Sequence, residues 1–422
     1  MKTLFANGTV FTLNGFEKHD FTIVDGRIHL VDHADAASFD NVIDCSQKNI
    51  IPGLVDVHVH FREPGFLYKE TIKTGCEAAA RGGYTTVCTM PNLNPAPSNL
   101  ENLKVQLDVI KRDAIVKVIP YGTITAEQSG RGELSDMEAI APYVCAFSDD
   151  GKGVQAGPLM EEAMIKAKSL GKMIVAHCED ETLVSKGGCV HDGRYAKEHD
   201  LVGISSASEY VQVGRDIELV AKTGCPYHIC HVSTKESVDL IRKGKKRGVN
   251  VSAETAPHYL ILCEDDLVDL GRFKMNPPLR SREDRAALLE GILDGTIDMI
   301  ATDHAPHSDE EKSKGLKGSP FGIVGLETAF PVLYTHLVLK DILSIRQLIE
   351  LMCINPRKRF NLPEVYIDEG YPADFAIIDF NKQFEIDSKD FASKGHATPF
   401  DHYYVNGLVE QTYVDGHLVY QK

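Results

Sequence analysis

The sequence predicts an α/β protein, a (β/α)8 barrel of the TIM type flanked by a small β-sandwich domain that both termini build together. Three observations lead to this fold class. Eight β-rich runs alternate with room for helices, polar side chains follow the ends of those runs, and the first and last fifty residues share a pattern of short alternating strands. We expect residues 1–50 and 361–422 to form the flanking domain and residues 51–360 the barrel.

The two ends of the chain contain short segments in which apolar and polar residues alternate. Near the N-terminus they read TLFANGTVFTL, HDFTIVDGRIHLV and FDNVIDC, and near the C-terminus ADFAIIDF and YYVNGLVEQTYVDGHLVY. The NG and DG pairs between them are typical of tight hairpin turns. These segments offer no cluster of catalytic groups, which favours a structural role for the flanking domain.

The middle of the chain alternates predicted strands with predicted helices. The strand-like runs are LVDVHVH (54–60), TTVCTM (85–90), VKVIPYG (116–122), YVCAFS (143–148), KMIVAH (172–177), PYHICHV (226–232), NVSAET (250–255) and IDMIATD (297–303). Amphipathic periodicity predicts helices in YKETIKTGCEAAARGG, PLMEEAMIKAKSLGK and TKESVDLIRKGKKRG, with glycine as the stop signal. This order is typical of a parallel sheet with crossover helices.

A doubly wound open sheet would give the same alternation, so the polar residues decide between the two architectures. They stand where the predicted strands end: His58, His60, Asn92, Asp149, Asp150, His177, His231 and Asp303. A closed barrel gathers the carboxyl ends of its strands around one site, whereas an open sheet would spread these groups along a line. The distribution favours the barrel.

Composition excludes several classes of function. The chain has 61 acidic against 45 basic residues and a formal charge of −16, which disfavours nucleic acid and anionic membranes as partners. No signal-peptide-like or membrane-spanning apolar run is found, so a cytoplasmic location is expected. The ten cysteines include no CxxC pair and are interpreted as reduced core residues.

The strand-end residues have the chemistry of a metal site. In DVHVHFREPG, strand alternation would project His58, His60 and Arg62 to one side. Four imidazoles and two carboxylates suit divalent zinc, and a carboxylate can bridge two ions. Alternation allows only one of Asp149 and Asp150 to face the barrel axis and leaves open which.

Two metals that share a water can lower its pKa and present it as a hydroxide nucleophile for amide or ester hydrolysis. A general base must then move the proton to the leaving nitrogen. Asp303, at the end of the last predicted strand, is the best-placed candidate.

Several segments resemble one family. DVHVHFREP and ATDHAPHSDEEK are similar to the two signature segments of dihydroorotases of the class I type, in the amidohydrolase superfamily, and ICHVST, SAETAPHYL and KMNPPLR resemble the segments between them. The similarity runs from about Ile51 to Asn355. It implies a zinc-dependent enzyme of de novo pyrimidine (UMP) biosynthesis that reversibly cyclises N-carbamoyl-L-aspartate to (S)-dihydroorotate.

The resemblance also implies a role for individual residues. His58 and His60 would hold one zinc ion, His177 and His231 a second, and Asp150 would bridge them in place of the carboxylated lysine of many relatives, since FSDDGKG has no lysine at the strand end itself. Asp303 would ligate the first ion and act as the catalytic base. The implied substrate contacts are His60, Arg62, Asn92, Asn276, His307, Phe321 and Gly322. His228 and His258 match no ligand position and are assigned to packing or to support of the ligands.

Arg62 bears on the choice of substrate. A guanidinium can meet a ring carboxylate with two parallel hydrogen bonds, which favours an acidic cyclic substrate over a neutral one. The rival hypotheses are a dihydropyrimidinase or hydantoinase, an allantoinase, and a non-catalytic dihydroorotase-like subunit that scaffolds aspartate transcarbamoylase. The family also implies a homodimer and an association with aspartate transcarbamoylase.

The segment from His307 to Glu327 is polar and glycine-rich and directly follows the candidate base. A mobile lid that excludes water from the reacting amide is one interpretation, and an ordinary solvated loop is the other.

Overall fold

The N-terminal strands form a small sheet of their own. A computed structural model describes residues 2–32 and 35–422. Its first strands are β1 (Thr3–Ala6), β2 (Thr9–Thr12), β3 (Gly15–Lys18), β4 (Asp20–Val24), β5 (Arg27–Val31), β6 (Asn41–Asp44) and β7 (Asn49–Pro52). Four of them pair in the order β5-β4-β1-β6, antiparallel except for the parallel pair β1 and β6.

The middle of the chain contains the barrel strands. They are β8 (Leu54–Val59), β9 (Tyr84–Thr89), β10 (Lys117–Pro120), β11 (Ile174–Ala176), the short pair β12 (Val190–His191) and β13 (Gly203–Ile204), β14 (Tyr227–Ile229), β15 (Val251–Thr255) and β16 (Met299–Ile300). Two parallel sheets result, β10-β9-β8 and β11-β14-β15-β16, while β12 and β13 pair separately.

Isolated bridges close the two sheets into a ring. Phe147 forms parallel bridges with Gly122 and Ile174, and His304 forms one with Val59. The predicted barrel is thus confirmed, although the fourth predicted strand is reduced to a short bridging segment around Phe147. An apolar cluster drawn mainly from the barrel strands, including Val55, Cys88, Val175 and Met299, packs at its centre.

Helices cover the outside of the barrel. They are α1 (Ile72–Arg81), α2 (Leu100–Asp113), α3 (Met137–Ile140), α4 (Gly157–Ser169), α5 (Arg194–Glu198), α6 (Ala207–Thr223), α7 (Lys235–Lys246), α8 (Pro257–Ile261), α9 (Arg282–Leu293), α10 (Asp309–Lys312), α11 (Gly315–Gly318), α12 (Ala329–Leu333), α13 (Ile345–Ile349) and α14 (Asn355–Arg359). Side chains of Thr71, Thr234 and Ser281 cap α1, α7 and α9. Wider π-helical turns at 334–338 and 350–354 extend α12 and join α13 to α14.

Among the described residues, no helix combines the length and the apolar character needed to cross a bilayer.

Strands from both ends of the chain complete the flanking sandwich. The last strands are β17 (Phe375–Glu385), β18 (Tyr404–Val414) and β19 (His417–Gln421), and they join the N-terminal strands in a sheet ordered β19-β18-β17-β7-β2-β3. Phe5, Phe21, Phe375 and Tyr413 fill the space between this sheet and the four-stranded one. The predicted sandwich is confirmed. We keep 1–50, 51–360 and 361–422 as the proposed domains, noting that β7 carries the sandwich two residues past position 50.

Candidate active site

Six predicted ligands converge at one rim of the barrel. His58 lies in β8 and His60 just after it, Asp150 follows the Phe147 bridge, His177 follows β11, and His231 and Asp303 come two and three residues after β14 and β16. All six side chains are buried. We call this set the rim cluster: His58, His60, Asp150, His177, His231 and Asp303.

Asp150 lies at the centre of the rim cluster. Its Oδ1 is 3.4 Å from His58 Nε2, 3.6 Å from His231 Nε2 and 3.8 Å from His177 Nδ1. Its Oδ2 is 3.5 Å from His60 Nε2. Asp150 therefore lies between two histidine pairs, His58 with His60 and His177 with His231, and is close to all four rings.

Asp303 adds a second carboxylate on the side of His58 and His60. Its Oδ1 lies 3.1 Å from His60 Nε2 and 3.4 Å from His58 Nε2. On the opposite side, His177 Nδ1 and His231 Nε2 are 2.9 Å apart. Each half of the cluster thus presents two imidazole nitrogens and a carboxylate oxygen.

The donor set fits divalent metal ions. His58 Nε2 and Asp150 Oδ1 are buried and have no hydrogen-bond partner among the described residues. Three groups among the described residues have ligand atoms within 4.8 Å of one another: His58, His60 and Asp303; His58, Asp150 and His231; and His58, Cys230 and Glu254. Buried polar atoms normally find partners, and the chemistry of these unpartnered nitrogen and oxygen atoms fits a site for a cation.

A carboxylate behind His58 fixes its orientation. His58 Nδ1 lies 2.7 Å from Glu254 Oε1, and Glu254 Oε2 lies 3.1 Å from His228 Nε2. Burial alone would raise the pKa of Glu254, but hydrogen bonds with His228 and His58 lower it to about 2. An ionised Glu254 keeps the proton of His58 on Nδ1 and leaves Nε2 for a metal. Of the two roles expected for His228, packing or support of the ligands, this contact favours support.

In the rim cluster, carboxylates and His58 favour each other's charged forms against the cost of burial. Burial opposes ionisation of Asp150, but His58 and its neighbours hold the pKa of Asp150 well below its usual range. Burial likewise opposes the charge of His58, whose pKa the Asp150 and Asp303 carboxylates raise well above the ordinary value. The carboxylates therefore stay ionised at neutral pH, as ligands must be, and a metal ion at His58 Nε2 would displace the proton that they favour there.

The structure separates Asp149 from Asp150. Asp149 points away from the histidines and accepts hydrogen bonds from the backbone amides of Ile124 at 2.8 Å and of Thr125 and Gly130 at 3.1 Å. Asp150 points into the rim cluster, while its own carbonyl accepts from Asn92 Nδ2 at 2.6 Å. One aspartate organises a loop and the other is available for metal.

Backbone conformation, more than strand alternation, aims these side chains. Pairing of β8 with β9 is irregular between Asp56 and Val59, and β8 ends before His60. Arg62, His231 and Asp303 have φ of 58°, 33° and 49°, in the left-handed region that costs non-glycine residues energy. Strand alternation was expected to direct Arg62 to the same side as His60, and this explanation is wrong because Arg62 lies beyond the end of β8. Arg62 nevertheless lines the same pocket as His60.

A pocket opens over the rim cluster. Its lining consists of His60, Arg62, Asn92, Asp150, Gly151, His177, His231, Asn276, Asp303, Ala305, Phe321 and Gly322. Gly151 and Ala305 were not anticipated from the sequence, since small residues give no chemical signal. All but one of the residues expected to contact substrate lie in this lining.

His307 is the exception, because it lies behind the pocket wall. Its Nε2 is 2.8 Å from the Phe321 carbonyl oxygen and its Nδ1 is 3.1 Å from Lys69 Nζ. Burial, then Arg62 and Lys69, lower the pKa of His307 to about 3. A neutral His307 thus donates to Phe321 and accepts from Lys69, and its contact with substrate stays a prediction.

Glu179 is a further residue that sequence reasoning missed. Its Oε2 lies 3.5 Å from His177 Nε2, and its Oε1 accepts from Asn276 Nδ2 at 3.1 Å. The signal was the carboxylate two residues after His177 in AHCED. Glu179 links a rim-cluster histidine to a pocket amide.

Comparisons with known proteins point in one direction. Residues 47–237 match the protein family described as Dihydro-orotase-like. The chain is 49% identical over 418 residues to a dihydroorotase of Fusobacterium nucleatum, covering 99% of this chain and 98% of that protein. It is also 49% identical over 421 residues to a dihydroorotase of Geobacillus thermodenitrificans, with the same coverage.

Solved structures share the architecture. The L-hydantoinase (dihydropyrimidinase) of Arthrobacter aurescens superposes with a TM-score of 0.88 at 26% identity, covering 100% of this chain and 96% of that one. The dihydropyrimidinase of Brevibacillus agri gives 0.87 at 21% identity, covering 100% and 95%, a likeness that concerns the fold alone. Full-length sequence similarity is therefore much greater to dihydroorotases than to these hydantoinases.

Proposed function

This chain belongs to the dihydroorotase family of cyclic amidohydrolases, and we propose that its pocket interconverts N-carbamoyl-L-aspartate and (S)-dihydroorotate with the help of zinc. Full-length identity of 49% to dihydroorotases supports the reaction. The observation that carries the chemistry is the placement of Asp150 between two histidine pairs, with Arg62 in the same pocket.

The rim cluster would hold two ions. We assign His58, His60 and Asp303 to one, His177 and His231 to the other, and Asp150 to both, because the ligand atoms of each half lie within about 4 Å of Asp150 or Asp303. When bound, such ions supply a water of lowered pKa and a Lewis acid for the ring carbonyl. The chemistry of the donors, nitrogen and carboxylate oxygen, suits zinc.

Asp303 would move the proton. Burial opposes its charge, but His58 and His60 lower the pKa of Asp303 to about 2, so it is ionised and able to accept a proton at neutral pH. Its Oδ1 faces the two imidazoles, and we assign the proton to Oδ2. In the hydrolytic direction Asp303 takes the proton from the attacking water and delivers it to the departing ring nitrogen; cyclisation reverses the path.

Arg62 and two amides would orient the ring. Arg62 lines the pocket beside His60, where a planar guanidinium can meet the ring carboxylate with two hydrogen bonds. Asn92 Oδ1 and Asn276 Oδ1 are buried and have no partner among the described residues. These oxygens suit the N–H groups of the substrate, which would satisfy both.

A substrate comparison tests this function. Purified, zinc-loaded protein is assayed with dihydroorotate, dihydrouracil, hydantoin and allantoin side by side. We expect turnover of dihydroorotate to dominate, because only that ring carries a carboxylate for Arg62. The likeness to hydantoinase structures makes a neutral-ring amidase the second candidate, and a preference for dihydrouracil or hydantoin would establish it instead.

Assembly is a separate prediction. We expect a homodimer and an association with aspartate transcarbamoylase, on the resemblance alone. The mass of the protein in solution, alone and after mixing with that enzyme, tests both.

A further inference from the structure

Lys312 is a buried lysine whose ammonium contacts backbone carbonyls. It ends α10, within the loop that runs from His307 to Glu327, and its side chain is 7% exposed. Lys312 Nζ donates to the carbonyl oxygens of Lys274 at 3.0 Å, Pro320 at 2.9 Å and Gly322 at 2.6 Å. An ammonium has three N–H donors, and each finds one acceptor here.

The three carbonyls belong to two segments that carry pocket-lining residues. Lys274 lies two residues before Asn276, and Pro320 and Gly322 flank Phe321. The same seam contains a backbone hydrogen bond of 3.1 Å from the Gly322 amide to the Lys274 carbonyl. Lys312 therefore lies where the segment that carries Asn276 meets the turn that carries Phe321.

We propose that Lys312 is a positioning residue for substrate, whose ammonium fastens the Asn276 segment to the Pro320–Gly322 turn and so fixes the width of the pocket. The proposal rests on the substrate contacts assigned above to Asn276, Phe321 and Gly322. Under this proposal the Pro320–Gly322 turn is a fixed wall of the pocket. It would then not move as part of a lid, which was one interpretation of the segment from His307 to Glu327.

The surroundings of the turn support a fastened wall. His307 holds the Phe321 carbonyl, so three successive carbonyls, from Pro320 to Gly322, are bound by side chains of the same loop. Lys274 Nζ also lies 4.7 Å from the centre of the Phe321 ring. Gly322 has φ of 132°, and a Cβ there would meet the Ala305 carbonyl oxygen at 2.5 Å, so the turn is packed directly against the barrel rim.

Carbonyl contacts distinguish Lys312 from an ordinary ion-paired lysine. The neighbouring carboxylate of Glu311 pairs with Lys69 at 3.0 Å and leaves Lys312 to the backbone. Burial, and then the Lys274 ammonium, lower the pKa of Lys312 to about 7. The charged form is therefore costly to bury, and the three carbonyl dipoles are the contacts that favour it.

The test compares two lysines of the same loop. Lys312→Met keeps the length of the side chain and removes its donors, whereas Lys314→Met makes the same change at an exposed position. For Lys312→Met we expect KM for dihydroorotate to rise about tenfold, the equivalent of one charged hydrogen bond, with a smaller change in kcat and unchanged bound metal. Lys314→Met should match the parent protein in all three.

A graded variant and the parent protein complete the test. Lys312→Gln retains two N–H donors, so its KM for dihydroorotate should lie between those of the parent protein and Lys312→Met. Loss of packing alone would not explain this intermediate value. In the parent protein, hydrogen exchange at the Gly322 amide should be slow without substrate, and this measurement needs no variant to fold.

Three results would overturn the proposal: a KM unchanged in Lys312→Met, an equal rise in Lys314→Met, or fast exchange at Gly322. Failure of the parent protein to turn over dihydroorotate would instead contradict the proposed function. The exchange measurement then still tests whether the turn is fastened, because fast exchange at the Gly322 amide would contradict the proposal whatever the substrate.

Discussion

The rim cluster and the flanking sandwich are packed by opposite kinds of side chain. In the sandwich, Phe5 stacks on Phe21 with ring centroids 4.7 Å apart, and Phe375 stacks on Tyr413 at 4.6 Å. The rim cluster instead buries four imidazoles and two carboxylates, with His58 Nε2 lacking a partner among the described residues. Stacked aromatic rings stabilise a fold, whereas buried charges are costly to bury and depend on their partners to offset that cost.

This difference teaches where stability and activity reside in the molecule. Substitutions in the sandwich should lower stability and leave each folded molecule active. Substitutions in the rim cluster should abolish activity, and should lower stability where they leave the buried charge of a partner unpaired. The first two experiments below therefore have two readouts, turnover and unfolding.

The largest effect is expected for Asp303→Asn. Removing the proposed base should lower kcat for dihydroorotate by about 10²–10⁴-fold, the usual contribution of general acid–base catalysis. The melting temperature of the metal-free protein should fall at neutral pH, because the lowered pKa of Asp303 means that its ionised form stabilises the folded state. Steady-state kinetics and calorimetry check both, with Asp309→Asn, exposed on α10, as the matched control. If kcat of Asp303→Asn stayed within a few fold of the parent value, Asp303 would not be the general base.

The next largest effect is expected in the flanking sandwich, on the free energy of unfolding. Phe375→Ala deletes a fully buried ring that packs against Phe5, Phe21 and Tyr413. We expect a loss of about 3–5 kcal/mol in the free energy of unfolding, with kcat per folded molecule retained. Denaturant unfolding measures the first, and Tyr404→Ala, at an exposed aromatic ring on β18, is the control. A comparable fall in kcat would show that the two regions are not independent.

Arg62 sharpens the comparison within the rim. Arg62→Met should lower kcat/KM for dihydroorotate about 100-fold, because hydrogen bonds to a charged carboxylate are lost, and should affect dihydrouracil much less. Arg62→Lys keeps the charge but cannot form two parallel hydrogen bonds. Its kcat/KM for dihydroorotate should therefore lie between those of the parent protein and Arg62→Met. An equal loss of kcat/KM on dihydroorotate and dihydrouracil would mean that Arg62 does not bind the ring carboxylate.

Glu254 should give the smallest effect. Glu254→Gln removes the charge that orients His58, so zinc affinity should weaken about 10–100-fold. Competition with a chelator measures that affinity without an activity assay, and Glu290→Gln, exposed on α9, is the control. Unchanged affinity would show that His58 is oriented by other contacts.

The sequence predicted the fold and the rim cluster because both leave local signals. His58, His177 and Asp303 end β-rich runs, and the barrel topology alone is enough to bring such ends together. The choice between Asp149 and Asp150 was beyond alternation, because it depends on the amides of Ile124 and Gly130 from another loop.

The supporting residues could not be predicted for the same reason. Glu254 acts on His58, 196 positions away in the chain, and Lys312 binds carbonyls of Lys274 and Gly322. A buried glutamate or lysine looks like a surface residue until its partners are in place. The fourth strand was overestimated, since only the segment around Phe147 bridges its neighbours.

Zinc titration of the metal-free protein tests the central claim most directly. We predict that two zinc ions bind per chain, that dihydroorotate turnover appears only as they bind, and that Asp150→Ala binds fewer ions under the same conditions. Full turnover by the metal-free protein, or an unchanged zinc stoichiometry in Asp150→Ala, would contradict a two-metal site built around Asp150.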